Sequence, residues 1–217
     1  SLGLAACDTT GPRVDVAQVS AAPATSKATL PTPAVRREAL AQGLYELAYS
    51  ARQDTLFVAS AGGRGEGAAP SRILRLDPTT LAVRGETTLE RKGFGLVLDD
   101  AADRLYIGNT MDGSITVLDT TSGKVIGTVQ LLDKVSSTGP DGKTVERYPH
   151  NFREMVVDTR QQRLFAPGLG LEGSALYVVN TRTLKVEKVI PDFGFVATGI
   201  ALDETAGTVY VSHFQGQ

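Results

Sequence analysis

The sequence predicts an all-β fold made of four-stranded antiparallel blades, which is the β-propeller architecture. A unit of about fifty residues recurs, and in each of four copies an apolar run ends in Ser or Asp seven residues before an aromatic residue. These pairs are Ser50 with Phe57, Asp99 with Tyr106, Asp158 with Phe165, and Asp203 with Tyr210. Four antiparallel strands at this period are typical of a propeller blade. No segment shows a 3.6-residue apolar period with helix caps, so we expect helix to be nearly absent.

Each unit supplies its strands in the same order. The first is a short continuous apolar run, which favours a strand buried on both faces; these runs are 47–49, 96–98, 155–157 and 200–202. The second is rich in β-branched and aromatic residues, at 56–59, 105–108, 164–166 and 209–212. The third ends in Asp or Asn, at 73–77, 115–119 and 176–180. The fourth follows at 82–86, 124–129 and 185–190, which completes the blade.

The predicted turns contain residues that suit tight turns. Asp77, Asp119 and Asn180 begin equivalent turns, where their side chains can accept hydrogen bonds from the turn itself. Gly123 can adopt a positive φ at little cost, and 111–114 fits the tip of a hairpin. The blades are therefore predicted at about 44–93, 94–151 and 152–194, with an incomplete fourth at 195–217, all within a partial propeller spanning 38–217.

Several segments resemble a known family. Residues 103–109 (DRLYIGN), 113–119 (GSITVLD) and 123–125 (GKV) resemble the YVTN-type propeller repeat. Residues 43–50 (GLYELAYS), 75–81 (RLDPTTL), 108–110 (GNT) and 153–154 (RE) are similar to the YncE group of bacterial periplasmic propellers. The resemblance covers roughly 36–217 and implies a closed ring of seven blades, of which about three and a half are present here. We therefore expect a longer reading frame. Repeat motifs identify a fold and are nearly silent on chemistry.

The N-terminal segment predicts a lipid anchor. Residues 4–7 (LAAC) look like a bacterial lipobox, and 1–7 like the end of a signal peptide. Cys7 is the only cysteine, and lipidation explains its position better than packing or nucleophilic chemistry does. The alternative is an incidental Ala/Cys end of a signal peptide. Residues 8–37 are rich in Ala, Thr and Pro, which predicts a disordered tether. The expected location is periplasmic, with the protein lipid-anchored to the cell envelope and touching the membrane only through Cys7.

Composition and motif searches disfavour several kinds of chemistry. Twenty-two basic and twenty-four acidic residues give a net charge of −2, so there is no global attraction to polyanions. Tryptophan is absent, which weakens stacking proposals. His150 and His213 match no metal-ligand spacing. The glycine-rich segment 62–67 joins two strands and precedes no helix, so we interpret it as a hairpin insertion, not a phosphate loop. The sequence therefore predicts no catalytic residue, metal site or cofactor.

The best candidate surface is formed by the loops that enter each first strand, because in a propeller these converge on the central channel. Equivalent positions there carry aromatic, basic, acidic and small residues, unlike the uniform core pattern beside them, and this mixture suits a ligand site. An alternative is that Arg153 and Glu154 satisfy loop backbone groups and each other. The predicted ligand-binding residues are Tyr45, Glu46, Phe94, His150, Asn151, Arg153 and Glu154.

Three functions follow from these observations. The preferred one is a non-enzymatic envelope propeller that binds an unknown protein, peptide or small molecule, or acts as a scaffold, through its channel-face loops. The second is single-stranded nucleic-acid binding through the long insertion 132–150, which has a hairpin tip at 139–143, and through the rim of Tyr45, Phe94 and Arg153. Its basic candidate residues are Lys134, Lys143, Arg147 and Arg153. Nearby acidic residues almost cancel that charge. The third, by analogy with related propellers, is a quinoprotein-like or lyase-type enzyme.

Overall fold

The computed structural model describes residues 35–214, in which there are seventeen strands and no helix. Nothing in this range is therefore a helix long and apolar enough to cross a membrane. The predicted signal-peptide remnant, Cys7 and most of the predicted tether lie outside the described residues. Residues 38–214 belong to one compact unit. The strands are β1 (Leu44–Ser50), β2 (Thr55–Ser60), β3 (Arg72–Leu76), β4 (Val83–Thr88), β5 (Leu96–Asp99), β6 (Arg104–Asn109), β7 (Ser114–Asp119), β8 (Lys124–Gln130), β9 (Val135–Thr138), β10 (Thr144–Arg147), β11 (Asn151–Phe152), β12 (Val156–Asp158), β13 (Arg163–Leu169), β14 (Ala175–Asn180), β15 (Lys185–Ile190), β16 (Ala197–Asp203) and β17 (Thr208–His213).

The strands form successive antiparallel sheets, as the repeat predicted. Sheet one has the order β1-β2-β3-β4 and sheet two the order β5-β6-β7-β8. In sheet three, β11 and β12 both pair with β13, which continues to β14 and β15. Sheet four is the pair β16-β17, and β9-β10 is a separate hairpin in the predicted insertion. The first strands of successive sheets contact one another, β1 with β5, β5 with β12 and β12 with β16, as in stacked blades. The predicted all-β fold of antiparallel blades is confirmed.

The core lies between neighbouring sheets. Phe57 and Ile73 of sheet one pack with Leu105 of sheet two, whereas Tyr106 of sheet two packs with Phe152 of sheet three. Burying such a side chain contributes about 1.5–3 kcal/mol, so stacking of the sheets is the main source of stability. The predicted burial of the first strand on both faces does not hold for β1 or for β16, where Ala201 is exposed. Leu47 in β1 is 61% exposed, because no described sheet covers that face.

The turns repeat one geometry with different residues. Asp77 Oδ1 accepts the amides of Thr79 and Thr80 at 2.9 and 2.7 Å, and Asn180 Oδ1 makes the equivalent pair of bonds. The fourth residue after the Asp or Asn that begins each turn has a positive φ, which is 58° at Leu81, 69° at Gly123 and 54° at Leu184. A leucine in this region costs roughly 1–2 kcal/mol. The sheet pairing therefore determines the turn, and glycine there is optional.

Candidate ligand-binding rim

One extra residue lies within or just before the first strand of each sheet, at equivalent places in the four sheets. The register shifts between Leu44 and Leu47 in β1 and between Ala197 and Gly199 in β16. In sheet three the extra residue separates β11 from β12. In sheet two the Phe94 amide donates to Gly108 O, and the Gly108 amide donates to Gly95 O, so two residues face one. Such bulges redirect side chains and are common beside functional sites. We call the residues at these bulges the bulge rim: Tyr45, Glu46, Phe94, Gly95, Arg153, Glu154, Thr198 and Gly199.

The bulges bring side chains of three sheets together. The rings of Tyr45 and Phe94 meet edge to face, with 5.4 Å between their centroids. Arg153 Cζ lies 5.9 Å from the centroid of the Tyr45 ring, within cation–π distance. Tyr45 remains 46% exposed. A cluster of two aromatic rings and a guanidinium therefore lies on the rim, with part of one ring open to solvent.

Gly95 permits this close approach of sheets two and three. A Cβ on Gly95 would lie 1.6 Å from the carbonyl oxygen of Arg153, which is far inside any real contact. Beside it, Thr110 Oγ1 donates to Phe152 O at 2.9 Å, so the same stretch of sheet three is also fixed by a hydrogen bond. The position of Arg153 thus depends on a glycine that carries no functional group.

Of the two rim carboxylates, Glu46 and Glu154, Glu46 bonds the backbone of the next sheet. Glu46 Oε2 accepts the amide of Leu96 at 2.7 Å. Burial raises the pKa of Glu46 above its ordinary value of 4.5, the Leu96 hydrogen bond opposes this shift, and the charge of Glu154 adds to it. Glu46 therefore satisfies a backbone group of the next sheet. Arg153 and Glu154 form no ion pair with each other, so the proposed mutual pairing of these two side chains is not observed.

Cavities lie on both sides of Tyr45. The smaller, of about 120 Å³, is lined by Asn151, Arg153, Glu154 and Thr198 among others. The larger, of about 520 Å³, is lined by Tyr45, Phe94, Met111, Arg64 and Lys92 among others. Tyr45 is a wall of both cavities.

The larger cavity is lined by two cationic side chains, Arg64 and Lys92, that the sequence did not identify as site residues. Lys92 Nζ donates to Gly63 O, and within residues 35–214 no carboxylate lies at ion-pair distance from Lys92 or Arg64. Arg64 lies in the glycine-rich segment that we interpreted only as a hairpin insertion, so its contribution was overlooked. A usable signal was present in the sequence, because Lys92 lies two residues before Phe94.

His150 contributes to neither of these two cavities. Its Nδ1 lies 2.8 Å from the Tyr177 hydroxyl, and its Nε2 lies 3.0 Å from Gly173 O. Burial lowers the pKa of His150 below 6.5, and the Gly173 hydrogen bond opposes that shift. Both ring nitrogens are thus engaged inside sheet three. Within the described chain, no group of three or more His, Cys, Asp or Glu side chains could hold a metal ion.

The basic residues of the insertion are already engaged. Lys134 Nζ lies 5.5 Å above the Tyr148 ring, Lys143 Nζ lies 3.6 Å from Asp141 Oδ2, and Arg147 Nη2 lies 2.6 Å from Glu172 Oε1. Of the four nucleic-acid candidates, Arg153 alone belongs to the rim. The insertion therefore presents a surface of balanced charge.

Comparisons with known proteins identify relatives that have no assigned activity. No protein-family model matches the chain. It is 32% identical to "Uncharacterized protein YncE" of Salmonella typhi over 196 residues, which covers 89% of this chain and 52% of that protein. It is 31% identical to the Escherichia coli (strain K12) protein of the same name over 183 residues, covering 83% of this chain and 49% of that protein. The chain spans about half the length of the curated relatives it matches.

Proposed function

The chain belongs to the YncE-like family, and from this premise we propose that it is a non-enzymatic propeller of the bacterial cell envelope that binds its ligand at the bulge rim. The observation that carries the proposal is the repeated bulge, which brings Tyr45, Phe94 and Arg153 of three sheets into contact. The backbone irregularity is constant while the side chains differ. A site that recognises a ligand needs this combination of a fixed frame and varied chemistry.

The lining of the larger cavity indicates what kind of ligand fits. Phe94, Met111 and the Tyr45 ring supply apolar surface, and Lys92 and Arg64 supply positive charge. A peptide or small molecule with an anionic group beside a flat apolar part matches this lining. Arg153 against the Tyr45 ring extends the same chemistry to the smaller cavity.

The envelope location rests on the N-terminal sequence. Residues 4–7 (LAAC) carry a small-residue pattern that ends in the sole cysteine. A diacylated cysteine would hold the protein at a membrane surface, since more than one acyl chain is needed for stable anchoring. We propose that Cys7 is that residue and that 8–37 links the anchor to the propeller.

A thermal-shift screen tests ligand binding at the rim. The unlipidated protein is heated with peptides, peptidoglycan fragments and small organic anions, because a ligand of the folded state raises the melting temperature by mass action. Tyr45→Ala and Arg153→Ala should lose most of the shift that any hit produces. Tyr49→Ala is the matched control, because Tyr49 is an exposed tyrosine of the same strand outside the rim. An equal shift in all three variants would show that the ligand binds elsewhere.

Single-stranded nucleic acid is a second candidate ligand, favoured by the same aromatic rings with Arg153, Lys92 and Arg64 beside them. Bases stack on aromatic rings, and cations bind phosphates with a salt dependence of roughly −0.7 in log–log slope per phosphate neutralised. Lys92→Ala should therefore flatten the slope for a single-stranded oligonucleotide by about 0.7. Lys143→Ala should leave it unchanged, since Lys143 is paired with Asp141. An affinity that is independent of salt would reject this candidate.

A further inference from the structure

The junction of sheets two and three lacks the contacts that fill the neighbouring junctions. In the turn after β1, Arg52 pairs with Asp103 and its Nε donates to Asp100 O at 2.8 Å, while Gln53 Nε2 donates to Thr120 Oγ1 at 2.7 Å. After β12, Arg160 Nε lies 3.7 Å from Glu204 Oε2. The residues at the positions of Arg52 and Gln53 in the turn after β5 are alanines, Ala101 and Ala102. Their side chains are too short to reach sheet three.

An open cavity of about 330 Å³ occupies this junction. It lies at the opposite end of the first strands from the bulge rim, so it is a separate site. Since a water molecule takes roughly 30 Å³ of liquid, there is room for a small organic molecule or several waters. Its walls include Ala101, Asp99, Arg104, Tyr106, Thr181 and Arg182.

A buried hydroxyl without a partner lies in the wall of this cavity. The Tyr106 side chain is 1% exposed, and its hydroxyl makes no hydrogen bond. Burial raises the pKa of Tyr106, and its polar neighbours Arg104 and Thr181 oppose that rise, but neither meets the geometry of a hydrogen bond to the hydroxyl. Phe57 and Phe165 stand at the equivalent positions of sheets one and three. The hydroxyl is thus not needed for packing, and leaving it unpaired costs roughly 1–3 kcal/mol unless something in the cavity accepts from it.

Arg104 is also without the acid that its counterpart has. Arg163, at the equivalent position of sheet three, lies 2.9 Å from Glu187, but Ile126 replaces that glutamate in sheet two. Arg104 Nη1 reaches only Thr181 O, at 3.5 Å. Over residues 35–214, neither Arg104 nor Arg182 forms an ion pair. Asp99 lies in the wall as well, but its Oδ1 accepts the Ala102 amide at 3.0 Å. Turn hydrogen bonds lower the pKa of Asp119, which lies outside the wall, and its interaction with the charge of Arg104 adds to that shift. The wall itself carries two guanidinium groups and one carboxylate, so its own charge favours an anion.

We propose that this cavity binds a small oxyanion, a phosphate or carboxylate group, between Arg104 and Arg182, with the Tyr106 hydroxyl donating to it. Planar guanidinium groups match the oxygens of both anions, and charge-assisted bonds of this kind are the strong ones. The site goes beyond the rim function and does not depend on it.

Binding is measured with the full chain by thermal shift and calorimetry, with inorganic phosphate and citrate as separate probes against sodium chloride at equal ionic strength. At least one probe should give a saturable rise in melting temperature that chloride does not. Tyr106→Phe, which copies the neighbouring sheets, should weaken the affinity roughly tenfold or more. A response to phosphate alone or to citrate alone identifies which oxyanion the cavity selects.

The matched control rebuilds the missing contact. The double variant Ala101→Arg with Thr159→Glu copies the pair of Arg160 and Glu204, which joins sheets three and four, into the junction of sheets two and three. The new side chains fill the cavity, so the variant should abolish the response. Arg104→Thr introduces the residue that sheets one and four have at the equivalent position, Thr55 and Thr208. It should weaken binding without adding bulk, and it replaces the double variant as the test if that variant does not fold. Probes no better than chloride, or an undiminished response in these variants, would overturn the proposal.

Discussion

Replacing Gly95 with alanine tests how the rim is assembled. The added Cβ would lie 1.6 Å from Arg153 O and 2.4 Å from Arg153 C, whereas real Cβ atoms essentially never approach closer than 3.0 Å. The obstructing atoms are backbone, so relief requires moving the two sheets apart. Overpacking of a core typically costs 1–3 kcal/mol, and because the obstructing atoms are backbone atoms that cannot rotate away we expect about 3 kcal/mol. In a protein of this size that lowers the melting temperature by roughly 6–12 °C.

The assay is urea denaturation followed by circular dichroism, with Gly139→Ala as the matched control. A Cβ on Gly139 would lie 3.0 Å from Asp141 Oδ1, the end of an exposed side chain that can rotate away, so its effect should stay within about 0.5 kcal/mol. Binding of any rim ligand should also weaken in Gly95→Ala, because Arg153 moves away from Tyr45. If Gly95→Ala were as stable as Gly139→Ala, the tight contact between sheets two and three would not exist as described.

Three other predictions concern single side chains. The pKa of Glu46 is raised above 4.5, so the folded state holds its proton more tightly than the unfolded chain and the free energy of unfolding should fall as pH rises above about 4.5. Glu46→Gln should remove that fall in urea titrations between pH 4 and 7, and an unchanged pH profile would contradict the burial. The pKa of His150 is lowered below 6.5, so the unfolded chain binds the proton better and stability should fall as pH drops below 6.5. His150→Asn should reduce this acid sensitivity, and a parallel loss in both proteins would argue against it. Cys7→Ser should abolish incorporation of labelled fatty acid and move the protein from the membrane to the soluble fraction, whereas a variant that stays with the membrane would refute Cys7 as the anchor.

The fold could be predicted from sequence because its determinants recur in the sequence. The spacing of Asp99 to Tyr106 is repeated in every unit, and Asp77 and Asn180 begin turns whose hydrogen bonds they form themselves. The positive φ of Leu81 could not be predicted in this way. That conformation is imposed by the pairing of β3 with β4, and the local preference of leucine opposes it.

The sequence predicted which residue types form the candidate site, but it could not predict how those residues are arranged in space. Alignment of the repeats showed mixed chemistry at Tyr45, Phe94 and Arg153, and these three side chains do meet. The bulges that bring them together depend on register between strands, which a sequence pattern of this length does not specify. Arg64 and Lys92 were missed for a related reason, since they reach the rim cavity from a loop and from an inter-sheet connection.

Both proposed sites lie at the ends of strands, and the packing of the sheets explains why. The middle of each strand is held between two neighbours, so Phe57, Tyr106 and Phe165 must all be large and apolar in body. At the ends this constraint is relaxed, and a position can change without disturbing the stack. The alanine at position 101 is a departure of this kind, and the unpaired hydroxyl of Tyr106 is a polar atom added to a ring that is otherwise shared with Phe57 and Phe165. When one sheet differs from its neighbours in a way that leaves a polar group unsatisfied, the difference costs stability and improves no packing. Such positions therefore serve a ligand, whereas positions that are the same in every sheet serve the fold.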